Sequence, residues 1–340
     1  MKIQLLELRE KVSAGVAKLG YNDEDAQIIT DVLLYAQLRG NNQGITKIAT
    51  GGVPNASELK PFQPVKENQC GALFSGGHSM VATAKATEKA VELAEQHGVG
   101  IAAVNQTDTS SGSIGYFARL IAKAGYIGFV SVGNGDWAAV APSGSSEPKL
   151  GTNPLAYAFP YDGGEVVFDM ATAAIAYFGV VEAKLKNIHL PEGVAVDSNG
   201  QITTDAAKVL GGGEGESEGG AILTTAGHKG YGLSVFVQLM GSAFSLAGFP
   251  GGYSEDGSGT FIFAIDPGLF AGKEEYMKRS RELVESIKSA RPIPGQEVLL
   301  PGERGDRIAR QAEESGEIEI ADGVWSELCK FVKNSEANDR

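Results

Sequence analysis

The stretch GVGIAAVNQTDTSSGSIGYF, residues 98–117, decides how this chain is to be read. A doubly wound dinucleotide-binding sheet places GxGxxG between a strand and a helix, where glycines let the backbone approach a pyrophosphate, with an acidic residue about 20 positions on. Here Gly98 and Gly100 stand at the start of the strand VGIAAVN (99–105) instead of after it, and GSIGYF (112–117) opens a helix without the motif's earlier glycine. The arrangement speaks against a Rossmann sheet. Between strand and helix runs a polar loop whose N–H groups, with the hydroxyls of Ser110 and Ser111, suit an anion or a ribose; the simpler alternative is a serine that caps the helix.

Working outward, residues 79–97 are predicted as a helix ended by Gly98, and 112–125 as a helix with apolar Ile114, Phe117, Leu120 and Ile121 on one face. Short strands follow at 127–132, 155–160 and 165–170, joined partly by turns and partly by helices, which predicts a mixed sheet. Toward the N-terminus, residues 4–18 and 23–39 read as amphipathic helices. Asn22 caps the second, Asp23, Glu24 and Asp25 fill its first turn, and Gly40 ends it. Asn42 can cap a further helix, placing Gln43 in its first turn and Lys47 four residues on, so that both side chains reach one ligand. Residues 227–248 form a long, nearly all-apolar helix expected to be buried, followed by a strand at 259–266 and helices near 271–290, 303–315 and 323–334. The glycine and glutamate run 211–220 reads as a solvated loop.

A chain of 340 residues exceeds what one core holds, so more than one domain is expected. Hydrophobic residues at 42% and charged residues at 21% are ordinary for a soluble protein, and no long apolar segment stands at either end, so a cytoplasmic location is expected. A net charge of −13 repels nucleic acid and anionic membranes. Cys70 and Cys329 have no metal-ligand spacing, and His78, His97 and His189 form no spaced pair, so no metal site is expected. A small-molecule partner is left by elimination.

Other candidates weigh evenly against simpler roles. The turn Gly-Thr-Asn-Pro at 151–154 enters a strand and can be only a turn. Asp169 ends a hydrophobic strand, where it either meets a ligand or caps the next helix. His228 and Lys229 open the apolar helix, where positive charge is disfavoured by the helix dipole, so a phosphate or carboxylate is expected to compensate.

Six ordered segments carry a resemblance: the Arg-Gly-x-x-x-Gly break at 39–44, SSGSIGYFAR (110–119), EPKLGTNPLA (147–156), VVFDMAT (166–172), GHKGYGL (227–233) and LLPGE (299–303). Together they resemble the type 2 malate/L-lactate dehydrogenase family over nearly the whole chain. The resemblance implies a mixed α/β, non-Rossmann fold: a helical domain from both chain ends (1–65 and 275–340), a cofactor domain on a mainly antiparallel sheet (66–180 and 221–274) and a smaller inserted segment (181–220). It also implies a homodimer and NADPH or NADH as hydride carrier. On that template Ser111, Gly112, Thr152, Asn153, Pro154, Asp169, Met170, Ala171, His228, Lys229, Pro301, Gly302 and Glu303 lie at the cofactor, with Asn134 or Asp136 nearby.

Two positions depart from the family. Members read Ser-His-Gly where this chain has Asn42, Gln43, Gly44, and a histidine where Ser110 stands. Lys47 keeps the family's basic residue in kind, suited to a substrate carboxylate though without arginine's fork. Reducing a ketone creates an alkoxide that must be protonated, and a positioned acid is worth about 10²- to 10⁴-fold. Gln43 can donate a hydrogen bond but no proton. A cyclic or substituted imine can arrive already protonated, so the expectation is hydride transfer to a small carboxylate bearing C=N, with Gln43, Ser110 and Lys47 at the reacting centre. A 2-hydroxy acid dehydrogenase is the alternative if burial lowers the pKa of Lys47 or Lys229 enough to make either the acid. A cofactor-binding scaffold without turnover is the third reading.

Overall fold

The computed structural model describes residues 1–41, 43–49, 51–107, 109–211 and 219–333. The expected cap at Asn42 and most of the 211–220 run lie outside the described residues. The chain begins with β1 (Lys2–Gln4), α1 (Leu5–Ala17), α2 (Asp23–Leu38) and the short α3 (Thr46–Ala49). Asn22 accepts from the Asp25 N–H at 2.9 Å, the cap expected from its position. Then come β2 (Gln63–Glu67), β3 (Gly71–Ser75), α4 (Ser79–His97), β4 (Val99–Thr107), α5 (Gly115–Lys123), β5 (Ile127–Gly133), β6 (Pro154–Tyr161) and β7 (Gly164–Ala171). A smaller set follows, α6 (Tyr177–Lys186), β8 (Ala195–Val196), α7 (Ala206–Leu210) and β9 (Ala221–Ile222). The chain closes with α8 (His228–Gln238), β10 (Ser258–Ile265), α9 (Lys273–Lys288), α10 (Glu303–Ser315), β11 (Glu317–Glu319) and α11 (Asp322–Lys333).

The main sheet runs β2-β3-β4-β10-β5-β6-β7. Within it β3 and β4 pair in parallel, joined by the crossover helix α4, and the other neighbours are antiparallel. This is the mixed, non-Rossmann sheet, and Gly100 shows why its glycines are where they are. A Cβ there would strike the Ala90 carbonyl of α4, so the glycine serves close helix-on-strand packing rather than a phosphate. Helix α5 lies on the same sheet through Ile114, Phe117 and Ile121, each with no exposed surface. Truncating Phe117 to alanine would cost about 3–5 kcal/mol.

The two chain ends meet. Strand β1 pairs antiparallel with β11, and Trp325, Leu328 and Val332 of α11 join Leu8, Val12 and Val16 of α1 in the main core. A second, smaller core gathers Val140, Leu150, Ala173, Val180, Leu190, Val209 and Ile222. Residues of the expected insert, 181–220, therefore share their packing with residues that precede them in the chain.

The apolar segment 227–248 is the main correction. It forms α8 and a π-helical extension, Leu239–Phe244, and it is not buried all round. Its inward stripe consists of Gly230, Ser234, Val237, Gly241, Ser242 and Ser245, while Leu233, Phe236, Leu239, Phe244 and Leu246 face outward. A Cβ on Gly241 would collide with the Gly133 amide of β5, so backbone meets backbone there and the large side chains are turned away from the sheet. Among the described residues no helix is long and apolar enough to cross a membrane.

Candidate active site

A cleft of about 450 Å³ opens where α3, the loop before α5, the ends of β6 and β7 and the start of α6 converge. Gln43 and Lys47 line it from one side, and Ser110, Ser111 and Gly112 from the next. Thr152, Pro154, Asp169, Met170 and Ala171 line it from the sheet edge. The sequence candidates on these four separate segments thus reach one cavity.

Lys47 is held by its neighbours in sequence. Ile45 and Ile48 of the same turn are buried in the main core at 0% and 1% exposure, which fixes the backbone between them. The turn itself can lie against α2 because residue 44 is glycine; a Cβ there would run into the Gln37 side chain. Gln43 occupies a turn before α3 and not its first helical turn, which begins at Thr46. Its backbone N–H donates to Asn41 Oδ1 at 2.9 Å. The Lys47 side chain is itself 3% exposed, and its ammonium lies 4.8 Å from the centroid of the Phe178 ring. Burial pushes its pKa down to about 8, with no neighbouring carboxylate to offset that burial among the described residues.

The loop before α5 is anchored from α4. The Ser79 N–H donates to Thr109 Oγ1 at 2.7 Å, and Ser79 Oγ donates to the Thr109 carbonyl at 2.9 Å. Ser110 Oγ accepts from the Gly112 N–H at 3.2 Å and so does not cap the helix. That task falls to Asp169, whose Oδ2 accepts from both the Gly115 N–H and Ser113 Oγ at 2.8 Å. Asp169 therefore caps the preceding helix from across the sheet, not the following one. It is open to the cleft yet enclosed by protein on its other sides. That enclosure raises its carboxyl pKa, against the two donors that hold the charged form. The open side tempers the rise, because water can reach one face of the group.

An adjoining groove is lined by Tyr35, Arg39, Pro301, Gly302 and Arg304 and shares Asn41, Ser113 and Asp169 with the first, so the two form one trough. Asp306 of α10 ties this groove together, accepting from Arg39 at 3.0 Å and from Arg119 at 2.6 Å. Burial alone would raise its pKa, but the Arg119 hydrogen bond and charge, with those of Arg39, hold it below the usual carboxylate range.

Other candidates are set apart. Asn153 is fully buried in the left-handed region at φ 42°, donating to the Ser234 carbonyl at 3.1 Å and to Gln238 Oε1 at 2.9 Å, so it shapes the cleft from behind. Glu303 accepts from Lys288 at 2.7 Å and from the Leu300 N–H at 2.9 Å. His228 and Lys229 are exposed at the start of α8 and line neither part of the trough. Asn134 lines the cleft; Asp136 is not among its lining residues.

Sequence reasoning missed the aromatic wall. Phe178 and Tyr177 come from the first turn of α6, with Trp137 packed edge-on against Tyr177 at 4.7 Å. A periodicity search cannot find them, because they enter from a segment built on the second core. Their only signal is the aromatic pair at 177–178 shortly after VVFDMAT.

The malate/L-lactate dehydrogenase family model matches residues 3–329. The chain is similar to L-sulfolactate dehydrogenase of Methanocaldococcus jannaschii, 35% identical over 89% of this chain and 88% of that one. The solved structure of that organism's enzyme superposes with a TM-score of 0.83 at 33% identity, over 99% of this chain and 98% of the other. Ureidoglycolate dehydrogenase (NAD(+)) of Escherichia coli is 31% identical over 96% and 95%. A Δ1-pyrroline-2-carboxylate/Δ1-piperideine-2-carboxylate reductase of Pseudomonas putida is 36% identical over 71% and 69%. The mixed sheet and the family match over residues 3–329 agree: the chain belongs to the malate/L-lactate dehydrogenase family.

Proposed function

We propose that this protein is an NAD(P)H-dependent oxidoreductase that reduces a small 2-oxo carboxylate and oxidises the matching 2-hydroxy acid, with Lys47 moving the proton. The observation that carries the reading is the Lys47 ammonium, buried in the cleft with no counter-charge among the described residues and with its pKa brought down to about 8. This takes up the alternative in which burial makes Lys47 the acid, in place of an imine substrate that brings its own proton.

The residues present fit a dinucleotide. The trough is continuous, and Gly302 lets the start of α10 close onto β7, where a Cβ would lie 2.6 Å from the Val167 carbonyl. Helix α10 opens there without a side-chain cap on Gly302, leaving N–H groups suited to phosphate oxygens. In this proposal Ser111, Gly112, Thr152, Pro154, Asp169, Met170, Ala171, Pro301 and Gly302 would hold the cofactor, and His228, Lys229 and Glu303 lie outside the lining of the trough. The reduced nicotinamide supplies hydride when bound.

The chain's own residues manage the rest. Lys47 pairs with the substrate carboxylate, and the Gln43 amide and Ser110 hydroxyl orient the carbonyl. As negative charge develops on the carbonyl oxygen, the ammonium gives it one proton and is left as a neutral amine, the form that burial favours. In the reverse direction the amine takes the proton back.

The test follows loss of reduced-cofactor absorbance with a panel of 2-oxo acids and cyclic imines, using the wild type, Lys47→Arg and Lys47→Met. Arginine keeps the charge but cannot release a proton. Lys47→Arg should therefore lower kcat by about 10²- to 10⁴-fold on 2-oxo acids with a smaller change in KM. An undiminished kcat would refute the proton role. The imine reading keeps two supports: the amide and hydroxyl at Gln43 and Ser110, which suit a substrate that brings its own proton, and the similarity to the Δ1-pyrroline-2-carboxylate/Δ1-piperideine-2-carboxylate reductase. Turnover of cyclic imines alone would carry it, and Gln43→His should then not raise the rate 100-fold. Tight cofactor binding with no turnover would favour the scaffold. We further infer that a second copy covers the outward apolar face of α8, giving a homodimer.

A further inference from the structure

The charges around the cleft are few. Lys47 and Asp169 are the charged residues lining it among the described residues, and Asp169 already accepts from Gly115 and Ser113. Once a substrate carboxylate pairs with Lys47, a second anionic group on the same molecule finds no cation lining the cleft. What stands beside Lys47 is the Phe178 ring, itself 41% exposed toward open space, with Tyr177 and Trp137 alongside. The face of an aromatic ring carries negative electrostatic potential, which attracts the ammonium and repels a carboxylate or sulfonate. An apolar substituent meets no such penalty and buries surface against the ring.

We infer that Phe178 is a specificity-determining residue, and that the cleft takes a 2-oxo acid with one carboxylate and an aromatic or branched aliphatic side chain in preference to a dicarboxylate or sulfonate. The inference deepens the reductase reading and rests on it for the reacting carbon. It also separates this chain from relatives whose names carry malate or sulfolactate, which bear two anionic groups.

Two measurements on the full chain test it. In the first, the NADH-loaded protein is titrated with 3-phenylpropionate and with succinate, reading nicotinamide fluorescence. In the second, kcat/KM is compared for phenylpyruvate, 4-methyl-2-oxopentanoate, oxaloacetate and sulfopyruvate. Both should favour the monoanionic apolar compounds by roughly tenfold or more. Phe178→Arg, which adds the missing cation, should reverse the order, and Phe178→Leu should keep it. Equal or tighter binding of succinate to the wild type would overturn the inference, as would an order unmoved by Phe178→Arg in a folded variant. If the binding order holds and no 2-oxo acid is turned over, the reductase reading falls and the subsite stands.

Discussion

Lys47 and Phe178 meet 4.8 Å apart, ammonium over ring, although one belongs to a four-residue helix near the N-terminus and the other opens a helix of the second core. The cation is thus enclosed by two parts of the fold that share no sequence neighbourhood. Its lowered pKa follows from that enclosure, with no charged group contributing among the described residues.

The reaction should inherit this titration. Reduction needs the ammonium, so its rate should fall as pH rises through about 8, while oxidation of the 2-hydroxy acid needs the amine and should rise over the same interval. A pH profile of kcat/KM in both directions checks it, since that ratio reports the free enzyme. Lys47→Arg should lack that limb.

The same group should cost stability. Its folded pKa, about 8, lies below the ordinary 10.5, so between those values the unfolded chain binds more protons and stability rises with pH. Below pH 8 the full penalty is present. Lys47→Met should accordingly raise stability at pH 7 by about 1–3 kcal/mol, an advantage that shrinks toward pH 10.5. Denaturant unfolding at pH 7 and pH 10 would show a constant difference if the idea is wrong.

His78 predicts the behaviour on the acid side. It is buried, its Nδ1 accepts from the Met80 N–H at 3.2 Å, and its Nε2 has no partner among the described residues. Burial, then the charge of Lys47, hold its pKa at about 4 against a partial opposing pull from Asp25; Tyr21 packs edge-on against the ring. The unfolded chain takes up a proton near 6.5 and the folded one does not, so stability should fall as pH drops from 6.5 to 4, by up to about 3 kcal/mol from this residue. His78→Asn keeps a capping oxygen without the titration and should flatten that part of the curve. An unchanged slope would exclude His78 as the source.

Much of this molecule was legible in its sequence, for identifiable reasons. Helices with strong end signals were placed closely: Asn22 and Gly98 mark real boundaries, and 303–315 coincides with α10. The site motifs were found because glycine, serine and proline turns at strand ends cannot be disguised by packing. The burial of Lys47 was not legible, since it depends on Ile45 and Ile48 being pinned by α1 and α11 from the two ends of the chain. The aromatic wall escaped for a similar reason. The outward face of α8 was misjudged because apolar composition does not say which stripe faces the sheet when glycine and serine lie on the other.

The contact between Gly115 and Asp169 leaves no room for a methyl group. A Cβ at 115 would lie 2.9 Å from the Asp169 Cβ and 3.0 Å from its Oδ2. Gly115→Ala should cost about 1–3 kcal/mol and weaken cofactor binding, because the carboxylate must leave the helix start. Thermal unfolding with a cofactor titration would decide this. A loss of stability with unchanged cofactor affinity would remove Asp169 from the proposed cofactor contacts.

The outward face of α8 should control assembly. Leu239 and Phe244 are 57% and 59% exposed and continue the stripe of Leu233 and Phe236. Leu239→Glu should shift the protein from dimer to monomer in sedimentation velocity, with the folded monomer retaining its secondary structure. A monomeric wild type at micromolar concentration would sink the dimer.

Gln238 gives that surface a line into the chemistry. From the last turn of α8 it accepts from Asn153, donates to the Asn134 carbonyl at 2.9 Å, and donates to Ser242 in the π-helical turn. In the proposed dimer, a partner pressing on the outward residues would also steady the left-handed turn at Asn153 between Thr152 and Pro154. Dilution that separates the subunits would loosen the floor on which the nicotinamide is proposed to rest, so specific activity should depend on protein concentration even though no residue from the neighbouring copy need enter the pocket.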